Sequence, residues 1–158
     1  MATPLSRSDI DGFLALRHIA VVGVSRQPKD FSRGLFRELV ARGYDVVAVH
    51  PEAGPSLDDR PCYPNVASLP AGVEGALVMT PPAATLGVLE ACERAGIRNV
   101  WLHRGGGAGA VSDAALAFAA ERGLTVIPGA CPYMFLPGTG VPHRIHGFFK
   151  KLAGGWPR

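Results

Sequence analysis

At 158 residues the chain is long enough for one domain with a full apolar core and short for two. Apolar residues make up 47% and charged ones 18%, so it reads as folded and compact, and a net charge of +3 is too small to argue for nucleic acid. No stretch approaches the ~20 apolar residues of a membrane helix, and the opening M-A-T-P-L-S-R-S-D holds no apolar signal core. Cys62, Cys92 and Cys131 are widely spaced with no C-x-x-C, which argues against disulfides and zinc and for a reducing cytoplasm.

In chain order, a leading helix is expected over residues 8–16, then a strand over 19–22 that runs into "GVSRQPKDFSRG". A helix over 31–42 follows, with Leu35, Phe36, Leu39 and Val40 on one face. One phrase then recurs three times: "ARGYDVVAVHP", "RAGIRNVWLHRG" and "ERGLTVIPGACP". In each, basic residues and a glycine suit a helix C-terminus, and the apolar run after them suits a buried parallel strand. Between the first two phrases lie a segment from 51 to 70 with five prolines, which excludes regular helix, a strand over 75–80, and a helix over 83–95 with Leu86, Leu89 and Cys92 in step. Before the third phrase a helix over 112–122 opens on a Ser112 cap.

The order β-α-β-(irregular)-β-α-β-α-β predicts an α/β protein: a Rossmann-like, doubly wound, mainly parallel five-stranded sheet in a three-layer αβα arrangement. The first three strands are expected to form one half of the sheet and the last two the other. The ligand crevice is then expected at the carboxyl ends of the first and fourth strands, where strand order reverses. The whole chain is read as one domain with its core at about 15–135. Its tail, 136–158, carries a short helix with Ile145, Phe148, Phe149 and Leu152 that packs on the sheet edge or makes a homodimer contact.

Candidate site residues fall at the strand ends. Gly23 permits close backbone approach, Ser25 offers a hydroxyl, Ser32 caps the next helix, and Arg26, Lys29 and Arg33 add positive charge, a set suited to an anion. The row G-V-S-R-Q-P lacks the second and third glycines of G-x-G-x-x-G. The second strand ends in His50 and Pro51, where a nicotinamide dinucleotide site wants an acid, and Glu52 comes only after the proline. A ligand bearing extra phosphate is therefore favoured over NAD. An esterase is disfavoured because Gln27 breaks G-x-S-x-G. His143 and His146 have no carboxylate or cysteine nearby in sequence to complete a metal site.

These phrases, with "CYPNVASLP", "ALVMTPP" and "GLTVIPGACP", run over about residues 15–135 in the order and spacing of a known family, and the chain resembles the CoA-binding domain family. Its members are small Rossmann-like proteins related to the amino-terminal domain of the succinyl-CoA synthetase alpha subunit. The resemblance implies binding of coenzyme A or an acyl-CoA through Gly23, Val24, Ser25 and Arg26, the end of the second strand at His50 and Pro51, and the turn of Thr80, Pro81 and Pro82. Where the family commonly has Asn before the second-strand proline this chain has His50, and where a later strand commonly ends W-L-Q it has His103. The phosphorylated histidine of the synthetase belongs to a domain not present here. The expectation is a cytoplasmic, non-catalytic CoA-binding protein with a small-molecule ligand and neither membrane nor nucleic acid as partner. An NAD(P)-linked oxidoreductase or redox sensor on the same fold is the alternative. A degenerate domain acting through protein contacts is the third reading.

Overall fold

The computed structural model describes residues 5–104 and 109–137. Seven strands form one sheet: β1 (His18–Val22), β2 (Asp45–Val49), β3 (Ser56–Leu57), β4 (Arg60–Tyr63), β5 (Gly75–Val78), β6 (Asn99–Leu102) and β7 (Thr125–Pro128). The helices are α1 (Arg7–Leu14), α2 (Phe31–Ala41), α3 (Pro82–Arg94) and α4 (Asp113–Arg122), with 3-10 turns at Val66–Ser68 and Pro132–Met134. The sheet order is β3-β4-β2-β1-β5-β6-β7, parallel throughout except for the β3–β4 pair.

Alternation along the strands divides the core in two. Ile19 and Val21 face one side with Leu35, Phe36 and Leu39 of α2 and Ile10 and Phe13 of α1. Ala20 and Val22 face the other, with Leu89 and Cys92 of α3 and Ala115 and Ala119 of α4. Because side chains alternate with period two, strands apolar at every position are covered on both faces, and three layers result. The glycine of each repeated phrase is left-handed, Gly43 at φ +89°, Gly96 at +78° and Gly123 at +70°. Each ends its helix where a side chain would be strained. Ser112 caps α4, its hydroxyl accepting from the Ala115 N–H at 3.1 Å.

Two expectations about the sheet are corrected. It has seven strands because the proline-rich segment contributes a hairpin. Its turn residues Asp58 and Asp59 both hold positive φ, +47° and +60°, the geometry of a tight two-residue turn between twisted strands. Strand β4 also pairs with β2 (Ala48 with Cys62, Val49 with Tyr63) and so takes the third place in its half of the sheet. The strand 75–78 is thereby released to pair with β1 from the other side. Strand order reverses between β1 and β5, not between β1 and the strand near Val100. Residues 138–158, including His143, His146 and the apolar positions of the expected tail helix, lie outside the described residues, as does the Gly105–Gly107 run.

Candidate functional site

The reversal point opens the sheet at the carboxyl ends of β1 and β5, and the loop after β1 passes directly over it. Gly23 stands at φ +92°, its N–H bonded to the Val49 carbonyl at 3.0 Å. A Cβ there would lie 3.0–3.2 Å from the backbone of Met79 and Thr80. Only glycine lets the loop leave β1 this close to the end of β5. Val24 is wholly buried on the α2 side of the sheet, so it offers a ligand backbone and no side chain.

The rest of the loop is held by its own polar groups. The Ser25 N–H donates to Ser32 Oγ at 2.8 Å, Ser32 Oγ donates to Asp30 at 2.6 Å, and the Gln27 N–H donates to Ser25 Oγ at 3.0 Å. Asp30 is the cap of α2, accepting from the Ser32 N–H at 2.8 Å. The expected cap, Ser32, is instead the pin that joins loop to helix. A carboxylate of the protein thus already sits at the positive end of the α2 dipole.

The cations also divide differently from expectation. Arg33, 7% exposed, is a fork on Asp58 (2.9 and 2.7 Å), and its Nη1 donates to the carbonyls of Arg26 at 3.0 Å and Ser25 at 3.4 Å. Expected as a partner for a ligand's charge, it is committed inside the protein. These hydrogen bonds hold the Asp58 carboxyl below the usual carboxylate range and raise Arg33 further. Arg37 joins from the exposed side, bonding Asp58 at 3.1 Å and the Pro28 carbonyl at 2.9 Å. Arg26 and Lys29 stay on the surface, Arg26 within 3.5 Å of Glu52 from the loop after β2.

Beside the loop, on the α3 side of the sheet, is a cleft of about 300 Å³. Gly23, Pro51 and Thr80 line its mouth, Pro64, Asn65 and Val66 one wall, and Ala84, Gly87, Val88 and Ala91 of α3 the other. The α3 set is one helical face at i, i+3, i+4 and i+7, and its small side chains leave the space open. The Thr85 hydroxyl donates to the Pro81 carbonyl at 3.3 Å and lies 3.0 Å from Thr80 Oγ1. Pro81 takes the cap position of α3 and Pro82 its first turn, where a missing N–H costs nothing. His50 follows β2, its Nδ1 accepting the Glu52 N–H at 3.0 Å, which leaves Nε2 to donate.

His103, at the end of β6, is not part of this cleft. Its ring lies against Phe31 (centroids 5.3 Å apart), which in turn meets Tyr133 edge-on at 5.6 Å. Burial lowers its pKa, and Nε2 is enclosed without a hydrogen-bond partner. Cys131 is buried just after Ala130, itself held at φ +82° by bonds from Trp101 Nε1 (3.1 Å) and the Arg104 N–H (3.2 Å) to its carbonyl. The expected set is thus split: Gly23, Pro51 and Thr80 share the cleft, His50 adjoins Pro51, Arg26 and Lys29 are exposed on the loop that Gly23 begins, and Ser32 and Arg33 serve the loop. Sequence reading missed Asp58, whose D-D turn was a visible signal, and the α3 wall, whose small-residue spacing was another. Among the described residues, no group of three or more His, Cys, Asp or Glu is placed to hold a metal, and no helix is long and apolar enough to cross a membrane.

Comparison with known proteins points the same way. The sequence model of a family described as "CoA binding domain" matches residues 17–137. Among solved structures, a hypothetical protein from Pyrococcus horikoshii OT3 is similar at 27% identity and TM-score 0.73, over 84% of this chain and 92% of its own. A hypothetical protein from Pyrococcus furiosus is similar at 26% identity and TM-score 0.65, over 73% of this chain and 96% of its own. So is the apo form of a dinucleotide-forming acetyl-coenzyme A synthetase 1 from Ca. Korarchaeum cryptofilum, at 26% identity and TM-score 0.63, over 74% of this chain and 27% of its own.

Proposed function

Since this chain belongs to the CoA-binding domain family, we propose that it binds coenzyme A or an acyl-CoA, without catalysis, across the carboxyl ends of β1, β2 and β5. The observation that carries the reading is the coincidence of three things at one reversal point. A glycine-led loop touches the end of β5, a cleft of about 300 Å³ opens beside it, and Arg26 and Lys29 stand exposed on the loop. A CoA molecule has both an apolar portion for such a cleft and phosphates for such cations. Glu52 bears on the same point: its carboxylate lies 3.5 Å from Arg26 with both side chains exposed, a weak pairing that a phosphate displaces. The binding role, as opposed to an enzymatic one, is supported by how the polar groups around the cleft are used. Among the described residues no ionisable side chain lines it, and the imidazole beside it, His50, holds the Glu52 backbone through Nδ1.

Thermal denaturation with coenzyme A, acetyl-CoA, NAD and NADP in parallel tests this. A ligand specific to the folded state, at about 100 times its dissociation constant, adds about 2.7 kcal/mol, a clear rise in Tm. Coenzyme A or acetyl-CoA is expected to give that rise, and Arg26→Ala to reduce both the affinity and its salt dependence. A rise with NAD alone would overturn the reading.

A further inference from the structure

We propose that Asp58 is a positioning residue for the loop after β1, acting through Arg33 and Arg37; the inference rests on that loop being part of the coenzyme A site. Asp58 lies in the β3–β4 turn and contributes nothing to the cleft wall. Its carboxylate nevertheless receives two guanidiniums, and both continue into the loop: Arg33 to the carbonyls of Ser25 and Arg26, Arg37 to that of Pro28. Three loop carbonyls are thus tied, through two side chains, to one carboxylate.

The consequence follows from peptide geometry. Every peptide bond among the described residues is trans, and in a planar trans unit the N–H points opposite to the C=O. Drawing the Ser25 and Arg26 carbonyls onto Arg33 turns the N–H groups of Arg26 and Gln27 away from it. The Gln27 N–H is then taken by Ser25 Oγ, and the Arg26 N–H is left facing away from the guanidinium to meet a ligand oxygen. Without the Asp58 charge, the buried Arg33 guanidinium has no counterion and cannot keep its place under the loop. A hairpin that replaces a helix of the fold thereby sets which way the loop's amides face.

The test compares Asp58→Asn, Asp58→Glu, Arg37→Ala and Leu124→Ala in the full chain. Leu124 is buried in the other apolar layer, away from the hairpin and the cleft, and reports loss of stability alone. Calorimetry gives the Kd for coenzyme A, and amide hydrogen exchange of the ligand-free protein follows Ser25 and Gln27, whose N–H groups are held by Ser32 Oγ and Ser25 Oγ. Asp58→Asn is expected to weaken binding roughly tenfold or more, as loss of charge-assisted hydrogen bonds does. Its Ser25 and Gln27 amides should exchange faster, with partial recovery in Asp58→Glu. Arg37→Ala, at an exposed position that the fold tolerates, is expected to act in the same direction by a smaller factor. Leu124→Ala is expected to lower Tm with Kd close to that of the unsubstituted protein. Equal effects of Asp58→Asn and Leu124→Ala on Kd would overturn the proposal. If the unsubstituted protein takes up no coenzyme A, the ligand reading falls and the exchange data still decide the positioning: faster exchange in Asp58→Asn supports it and unchanged exchange refutes it.

Discussion

His103 shows what a single residue contributes when its surroundings, not its type, set its chemistry. In sequence it is a polar residue at a strand end; in the fold its ring lies against Phe31 at a tilt of 37°, with Nε2 enclosed. Burial disfavours the imidazolium, so the folded pKa lies below the ordinary 6.5. Between those two values the unfolded chain holds the extra proton and the folded chain does not. The stability contributed by the neutral ring is therefore full above pH 6.5 and is lost as pH falls through the folded value. Denaturation midpoints are expected to drop as the pH is lowered from about 7.5 to about 5.5, and His103→Gln to remove that component of the decline. Parallel curves for the two proteins would show that another group is responsible. Arg33 makes the same point from the opposite side. Three cations in a row of twelve residues looked alike in sequence, and only the position of Asp58 separates the buried one from the exposed ones.

At the scale of elements, the α3 wall of the cleft yields a prediction that separates binding from folding. Gly87 sits inside the helix, faces the cleft, and a Cβ built on it meets nothing within 4 Å. The first side-chain carbon of Gly87→Leu thus meets open space, the rest of the leucine projects into the cleft, and the substitution removes a poor helix former worth about 1 kcal/mol. The variant is expected to melt at or above the parent temperature while coenzyme A affinity falls by about tenfold or more, because the leucine fills the ligand's space. Retained affinity would move the ligand out of this cleft. The helices and five of the strands were legible because their signals are local: apolar period, a cap, a terminal glycine. The β3–β4 hairpin was not. Its strands are two and four residues long, and Pro61 lies within the second, so it has no periodicity of its own and exists through pairing with β2.

For the whole molecule, the two apolar layers make the thiols a gauge of global opening. Cys92 lies in the core between α3 and the sheet, where burial pushes its pKa up to about 12. The reactive thiolate is then nearly absent while the protein is folded. Alkylation at about pH 8, read by mass spectrometry, is expected to modify Cys92 only as fast as the chain unfolds, and to slow further with saturating coenzyme A. Prompt labelling of Cys92 in the native protein would contradict the packing of this layer.

Sequence by itself determined the class of fold, the identity of most elements and the glycine-led loop after the first strand. Each rests on interactions between residues a few positions apart, or on a pattern of burial repeated within one element. The place of the reversal point, the division of the cations into structural and exposed, and the walls of the cleft were decided only by tertiary structure. Strand order depends on which distant backbones share hydrogen bonds, and a charge is free or committed according to partners that the chain brings from 21 and 25 residues away. Those partners are set by how the proline-rich segment pairs, and that pairing exists only once the sheet has formed.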